Sequence, residues 1–310
     1  MNSLEPISQR KLFGLKKHFL ELRRLYESSI YPNKLLLSGP KGIGKSTLAY
    51  HFINYVLSKN EHYSYDIKNL EIQAENSTFK TILNKSNTNL FTIDIDLDKK
   101  TIDINQIRDL IINLNKSSFN DKPRFVLIDN IELLNINSIN ALLKILEEPS
   151  QNVYFILINN NKKILPTLIS RCINYKIYLS NSDNIDIASQ LFGEKLENII
   201  NIDLINYYFT PGNIYYLVKF AEEHNYNLLD INLKNFLKIL IRNNHYKKDL
   251  FDKYLIFNLI EFYFRKICLS FSIKIYDKYS YFIKKISDTK SFNLDEELLF
   301  LEFEEEFLNA

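Results

Sequence analysis

Apolar residues recur at Leu15, Phe19, Leu22 and Leu25, a helical spacing that predicts an amphipathic helix between Gly14 and Ile30, ahead of Pro32. Lys34–Ser38 (KLLLS) is a short apolar run of strand type. Past a glycine cluster, Leu48, Ala49, Phe52, Ile53, Val56 and Leu57 fall on one helical face, so the order is strand, loop, helix. Residues 58–90 are polar and weakly periodic and predict only short helices and loops. Phe91–Asp96 alternates as a half-exposed strand does, Ile104–Leu114 reads as helix, and Arg124–Ile128 is a buried-type strand that ends in Asp129. Ile139, Leu142, Leu143 and Leu146 share a helical face up to a stop at Pro149, Val153–Ile158 is a further apolar strand, and Tyr175–Leu179 is a last candidate. Strands alternating with helices predict a parallel sheet covered on both faces, an α/β domain over residues 1–178.

Beyond residue 178 the strand pattern fades. Residues 179–232 read as a small domain of short helices with a turn at Thr210, Pro211 and Gly212, and residues 233–310 as a domain of longer, aromatic-rich helices. Asp295–Phe307 places Leu298, Leu299, Leu301, Phe303 and Phe307 among acids, which predicts an amphipathic terminal helix with a solvated acidic face. A net charge of +2 excludes a strongly basic nucleic-acid binder, although a local basic face could still meet phosphates. The two cysteines, Cys172 and Cys268, have no metal-ligand spacing, so no zinc and no disulfide framework are expected and a reducing compartment suits the chain. With no secretory pattern and no apolar run of about 18 residues, the expectation is a cytoplasmic protein without a membrane partner.

Gly39–Ser46 (GPKGIGKS) satisfies the phosphate-loop pattern GxxxxGK[ST] in the strand-to-helix context it requires. Glycines let backbone N–H groups converge on phosphates, and the following helix N-terminus adds free donors and a favourable dipole. The candidate nucleotide-binding residues are therefore Gly39, Pro40, Lys41, Gly42, Ile43, Gly44, Lys45, Ser46 and Thr47. Lys45 would reach the β and γ phosphates of ATP, while Ser46 and Asp129 would serve Mg²⁺. Three of the six glycines lie in this loop, which argues against a turn that merely joins two elements. Hydrolysis also needs a group that activates water, and the residue after Asp129 is Asn130. An amide cannot take a proton, so a contribution of roughly 10² to 10⁴ in rate is missing unless Glu132, the nearest acid, supplies it.

Asn140–Pro149 (NALLKILEEP), then Val153–Ile158, then Ser170, Arg171 and Cys172 closely resemble the bacterial DNA polymerase III clamp-loader AAA+ family across most of the first 180 residues. The resemblance implies an α/β P-loop AAA+ domain, a helical lid domain and an α-helical carboxy-terminal collar. It also implies ATP and Mg²⁺ as ligands, gamma/tau and delta subunits as partners, and contact with the sliding clamp and primed DNA through the complex. The arginine of the SRC triplet acts in that family on a neighbour's ATP, which makes Arg171 an arginine finger in trans. The family's polar sensor falls on Asn159, or one or two residues on at Asn160 or Asn161. Members that hydrolyse ATP place Glu after the strand-end Asp and PGR at the lid helix, where this chain has Asn130 and Pro211, Gly212, Asn213. The motor subunits, gamma/tau, also carry four zinc-binding cysteines, and residues 58–95 contain none. These departures point to the delta-prime type, a subunit of a polymerase holoenzyme whose own ATPase is weak or absent. The alternatives are a gamma/tau-like motor and an interaction module with a vestigial nucleotide site.

Overall fold

A computed structural model describes residues 4–309 apart from 97–98, 149–150, 207, 248–249, 269–272 and 293. The helix stop expected at Pro149 lies outside the described residues. Elements run α1 (Lys16–Glu27), β1 (Lys34–Ser38), α2 (Lys45–Leu57), α3 (Ser77–Leu83), β2 (Leu90–Ile93), α4 (Ile104–Leu114), β3 (Arg124–Ile128), α5 (Ile136–Glu147), β4 (Val153–Asn159), α6 (Pro166–Ile169), β5 (Ile173–Lys176) and α7 (Asn181–Phe192). They continue with α8 (Pro211–Glu223), α9 (Leu233–Arg242), α10 (Leu250–Cys268), α11 (Ile273–Phe292) and α12 (Glu296–Phe303). Contacts divide the chain into two compact units, residues 1–191 with 210–212, and residues 192–209 with 213–310.

In the first unit five strands pair in the order β2-β3-β4-β1-β5, all parallel. Alternate side chains of each strand go to opposite faces. Leu35, Leu37, Phe125, Leu127, Ile156 and Ile158 pack with α1 and α2 residues such as Phe19, Leu22, Leu48 and Phe52. Leu36, Val126, Ile128, Phe155 and Leu157 pack with Ile107, Leu110 and Leu114 of α4 and Ile139, Leu142 and Leu146 of α5. This is the doubly covered α/β P-loop sheet that the pattern predicts, and it explains why the central strands are continuously apolar. Burying a Leu- or Phe-sized side chain stabilises the fold by about 1.5–3 kcal/mol, so these two clusters dominate its stability.

The edges differ from the sequence reading. β2 ends at Ile93, because Asp94 turns out to accept a hydrogen bond from Asn130. β5 begins at Ile173 rather than Tyr175; it is an edge strand with mostly exposed side chains, so its apolar pattern misplaces it. Ile177 leaves the strand but still donates its N–H to Ser38 O at 2.8 Å, and its side chain is buried.

Asparagine, abundant in this chain, does specific local work. The side chains of Asn76, Asn135 and Asn232 accept from backbone N–H groups at the starts of α3, α5 and α9, and α4 opens with a capping box between Asp103 and Gln106. In the second unit Leu299, Phe300 and Phe303 of α12 are buried, and Phe264, Phe282, Phe303 and Phe307 form one aromatic cluster. The acidic face expected to be solvated is paired in part: Glu304 is buried against Arg242 Nε at 2.6 Å, while Glu297 meets Lys247 at 2.8 Å and Glu302 meets Lys285 with both carboxylates still partly exposed. No helix among the described residues is long and apolar enough to cross a membrane.

Candidate functional site

The carboxyl ends of β1, β3 and β4 lie side by side, the position where parallel α/β sheets hold ligands. The loop between β1 and α2 turns on Gly42 and Gly44, at φ +86° and +89°, conformations that L side chains rarely adopt. Gly44 is also the N-cap of α2, which has no side-chain cap and no acid in its first turn, where Ser46 and Thr47 lie. The helix thus offers its positive end to an anion rather than to its own chain. Ile43 is buried and fixes the loop to the core, and Pro40 and Lys41 contribute backbone carbonyls to the contacts described next.

Lys45 is 3% exposed. Its Nζ donates to Gly39 O at 2.9 Å, Pro40 O at 2.6 Å and Asn160 Oδ1 at 2.9 Å. Burial pushes its pKa down to about 8, against the opposing pull of Asp129 and Glu132. Ser46 Oγ donates to Asp129, whose carboxyl is raised above its ordinary value by burial, with the Ser46 bond working the other way. A buried cation, an uncapped helix start, and a hydroxyl beside a carboxylate together fit a triphosphate with Mg²⁺. Gly39–Lys45 would hold the phosphates and Ser46 with Asp129 the ion, which when bound would polarise a phosphoryl oxygen.

Asn130 adopts a left-handed conformation at φ +52°, which asparagine tolerates better than most residues. Its Nδ2 donates to Asp94 Oδ1 at 2.7 Å, and its Oδ1 accepts from Asn160 Nδ2 at 2.8 Å. Asn160 Nδ2 also reaches Glu132 Oε1 at 2.9 Å. The structure therefore brings Glu132 into the network around Lys45, with Asn160 between them. Asn159 is placed differently: its side chain closes a turn with the backbone of Lys162, donating at 3.0 Å and accepting at 3.1 Å, while its own carbonyl accepts from Gly39 N–H. The amide that faces Lys45 belongs to Asn160, one residue beyond the first sequence assignment. Only the end of the β4 ladder, at Asn159 opposite Ser38, separates the two.

A second contact on the loop was not legible in the sequence. Thr210 Oγ1 donates to Lys41 O at 2.9 Å, Gly212 N–H donates to Gly42 O at 2.9 Å, and a Cβ on Gly212 would lie 2.8 Å from Gly42 Cα. Two glycine backbones meet where no side chain fits.

Arg171 sits in the turn between α6 and β5 and makes no bond to the residues around Lys45. Its Nε donates to Glu147 Oε1 at 3.1 Å, Nη2 donates to the same oxygen, and Nη1 donates to Thr167 O at 2.9 Å. The side chain is 32% exposed and that of Glu147 53%. Glu147 ends α5, where the helix dipole disfavours a carboxylate by about 0.3–1 kcal/mol, so the guanidinium offsets a local cost. Beside it, Cys172 packs on the α4–α5 face, and burial raises its thiol pKa to about 11, well away from a reactive thiolate.

The sequence profile of the family described as DNA polymerase III, delta subunit, matches residues 15–180. A DNA polymerase III subunit delta' from Buchnera aphidicola subsp. Baizongia pistaciae is 34% identical over 176 residues, 53% of this chain and 51% of that protein. A subunit gamma from Buchnera aphidicola subsp. Schizaphis graminum is 29% identical over 181 residues, 58% of this chain and 47% of that one. In these two matches the chain spans about half the length of its relative. A subunit delta' from the same Schizaphis graminum symbiont is 25% identical over 93% of this chain and 94% of its own. With more than half of its residues matched by the profile, this chain belongs to the DNA polymerase III delta-subunit family, within which a delta-prime protein parallels it almost end to end.

Proposed function

We propose that this chain is a delta-prime-like, non-motor subunit of a cytoplasmic DNA polymerase III clamp loader, which with gamma/tau and delta subunits helps place the sliding clamp on primed DNA. In this reading residues 179–232 act as the lid and residues 233–310 as the collar. The chain binds ATP and Mg²⁺ with weak or no turnover of its own, and Arg171 reaches a neighbouring protomer's triphosphate. A guanidinium placed on a γ-phosphate offsets charge that develops in transfer and is worth about 10³ to 10⁵ in rate.

The observation that carries the reading is the division of labour. Arg171 is about one-third exposed and bonded to Glu147 and Thr167, away from the residues that surround Lys45, while the position after Asp129 is an amide tied to Asp94 and Asn160. Asn130 can orient a neighbour but cannot accept a proton. The deciding experiment reconstitutes the complex with gamma/tau and delta subunits and primed DNA, and compares ATP turnover with wild-type protein and with Arg171→Ala. The expected result is a fall of about 10³-fold at the one site this chain completes, with assembly unchanged. Equal rates would remove the finger role. Rapid turnover by the isolated chain, lost in Lys45→Ala, would instead identify a gamma/tau-like motor, and failure to bind labelled ATP an interaction module.

A further inference from the structure

The geometry around Arg171 points to a further residue in the reaction: we propose that Glu147 is a positioning residue that aims the Arg171 guanidinium outward. The inference rests on the finger reading above and adds a residue to it. A guanidinium carries five N–H donors in a rigid plane. Glu147 takes one on Nε and one on Nη2, and Thr167 O takes one on Nη1. One donor on each terminal nitrogen remains without an acceptor among the described residues, and a guanidinium can grip a phosphate through its two terminal nitrogens. The side of the fork nearest the chain is thus clamped and its far end is open.

One anchor, Thr167 O, is a backbone atom, and the other is a carboxylate whose own residue sits on a packed helix. Glu147 is the last residue of α5, whose Leu142 and Leu146 are buried in the α4–α5 core, and Thr167 O belongs to α6, whose Leu168 is buried. An arginine held only by its own flexible stem would spread its head over several rotamers, whereas one pinned at two points presents one direction. Misplacement of a catalytic group by about 1 Å costs on the order of 10²-fold in rate. A salt bridge that served only the surface would leave turnover untouched.

The test uses the reconstituted complex with an ATP-hydrolysing neighbour and primed DNA, carrying Glu147→Ala, Glu147→Gln, Arg171→Ala, or Glu147→Ala with Arg171→Ala. Glu147→Ala is expected to lower kcat about tenfold with KM for ATP nearly unchanged, since the clamp acts on the transition state and not on nucleotide capture. Glu147→Gln keeps an oxygen that accepts from Nε and Nη2 and is expected to recover most of the rate. In the Arg171→Ala background Glu147→Ala is expected to add nothing, because the two act as one unit. Thermal midpoints and assembly of each variant separate this effect from misfolding. Wild-type kcat in Glu147→Ala alongside a slow Arg171→Ala overturns the positioning role and leaves the finger standing. No effect in Arg171→Ala overturns the finger itself. Additive losses in the double variant would make Glu147 an independent contributor and also overturn the inference.

Discussion

The loop at Gly39–Ser46 and the turn at Ser170–Cys172 treat charge in opposite ways. At the loop the cation is buried and its bonds stay within one domain: Lys45 to two carbonyls and an asparagine, with Ser46 beside it on Asp129. At the turn the guanidinium keeps part of its donor set free and about a third of its surface exposed. On the proposed reading, the difference teaches that one domain carries halves of two sites. One would receive phosphates but lacks a proton acceptor at Asn130; the other would offer its cation to a neighbour's triphosphate.

Three changes break or sharpen that contrast. The largest effect is expected from Lys45→Ala, which removes the buried cation from the loop; a charged hydrogen bond of about 1.5–3 kcal/mol corresponds to a loss of roughly 10- to 150-fold in ATP affinity. Fluorescent-nucleotide titration measures it, and an unchanged affinity would mean that the inward half is not a nucleotide site. A middle-sized effect follows from Gly212→Ala, whose Cβ would lie 2.8 Å from Gly42 Cα, both backbone positions that yield poorly. Forced overpacking costs about 1–3 kcal/mol, to be read as a lower denaturant midpoint. A shift below about 0.5 kcal/mol would show that the Thr210–Gly212 segment parts from the loop at little cost.

The smallest effect is a fraction of a proton. Because burial holds Lys45 at about 8, below its ordinary value, the domain alone loses that proton as pH rises through 8. Bound phosphates favour the charged form and move the pKa back up, so binding takes up protons from about pH 8 upward and almost none near pH 6. Calorimetry in two buffers of different ionisation heat reads the uptake directly. Proton release in that window would show that Lys45 is not the group the phosphates meet.

The central sheet was legible because β1, β3 and β4 are buried on both faces and so write uninterrupted apolar runs. The loop was legible because glycines are scarce elsewhere. What escaped depended on partners distant in the chain. Asn159 and Asn160 are indistinguishable as letters, and only the last rung of β4 decides which amide turns toward Lys45. Glu147 lies 24 residues before Arg171, and no local pattern joins the carboxylate of one motif to the guanidinium of the next. Asn130, Asn152, Asn161, Asn225 and Asn244 all take left-handed positions in a chain with six glycines, a use that no local sequence pattern announces. Glu304 shows the same limit from the other side: an acidic run implied solvation until Arg242 was found beside it.

The bond from Thr210 to Lys41 spans 169 residues. During synthesis, therefore, the loop emerges from the ribosome long before the segment that braces it exists. The sheet can close around β1 only once β4 and β5 have been made, and this brace on the loop must wait still longer, until more than two thirds of the chain has been translated. A nascent chain stopped short of Thr210 would carry an intact GPKGIGKS loop without these two bonds, and a fall in protease sensitivity at that loop would mark the moment at which Thr210 and Gly212 emerge from the ribosome.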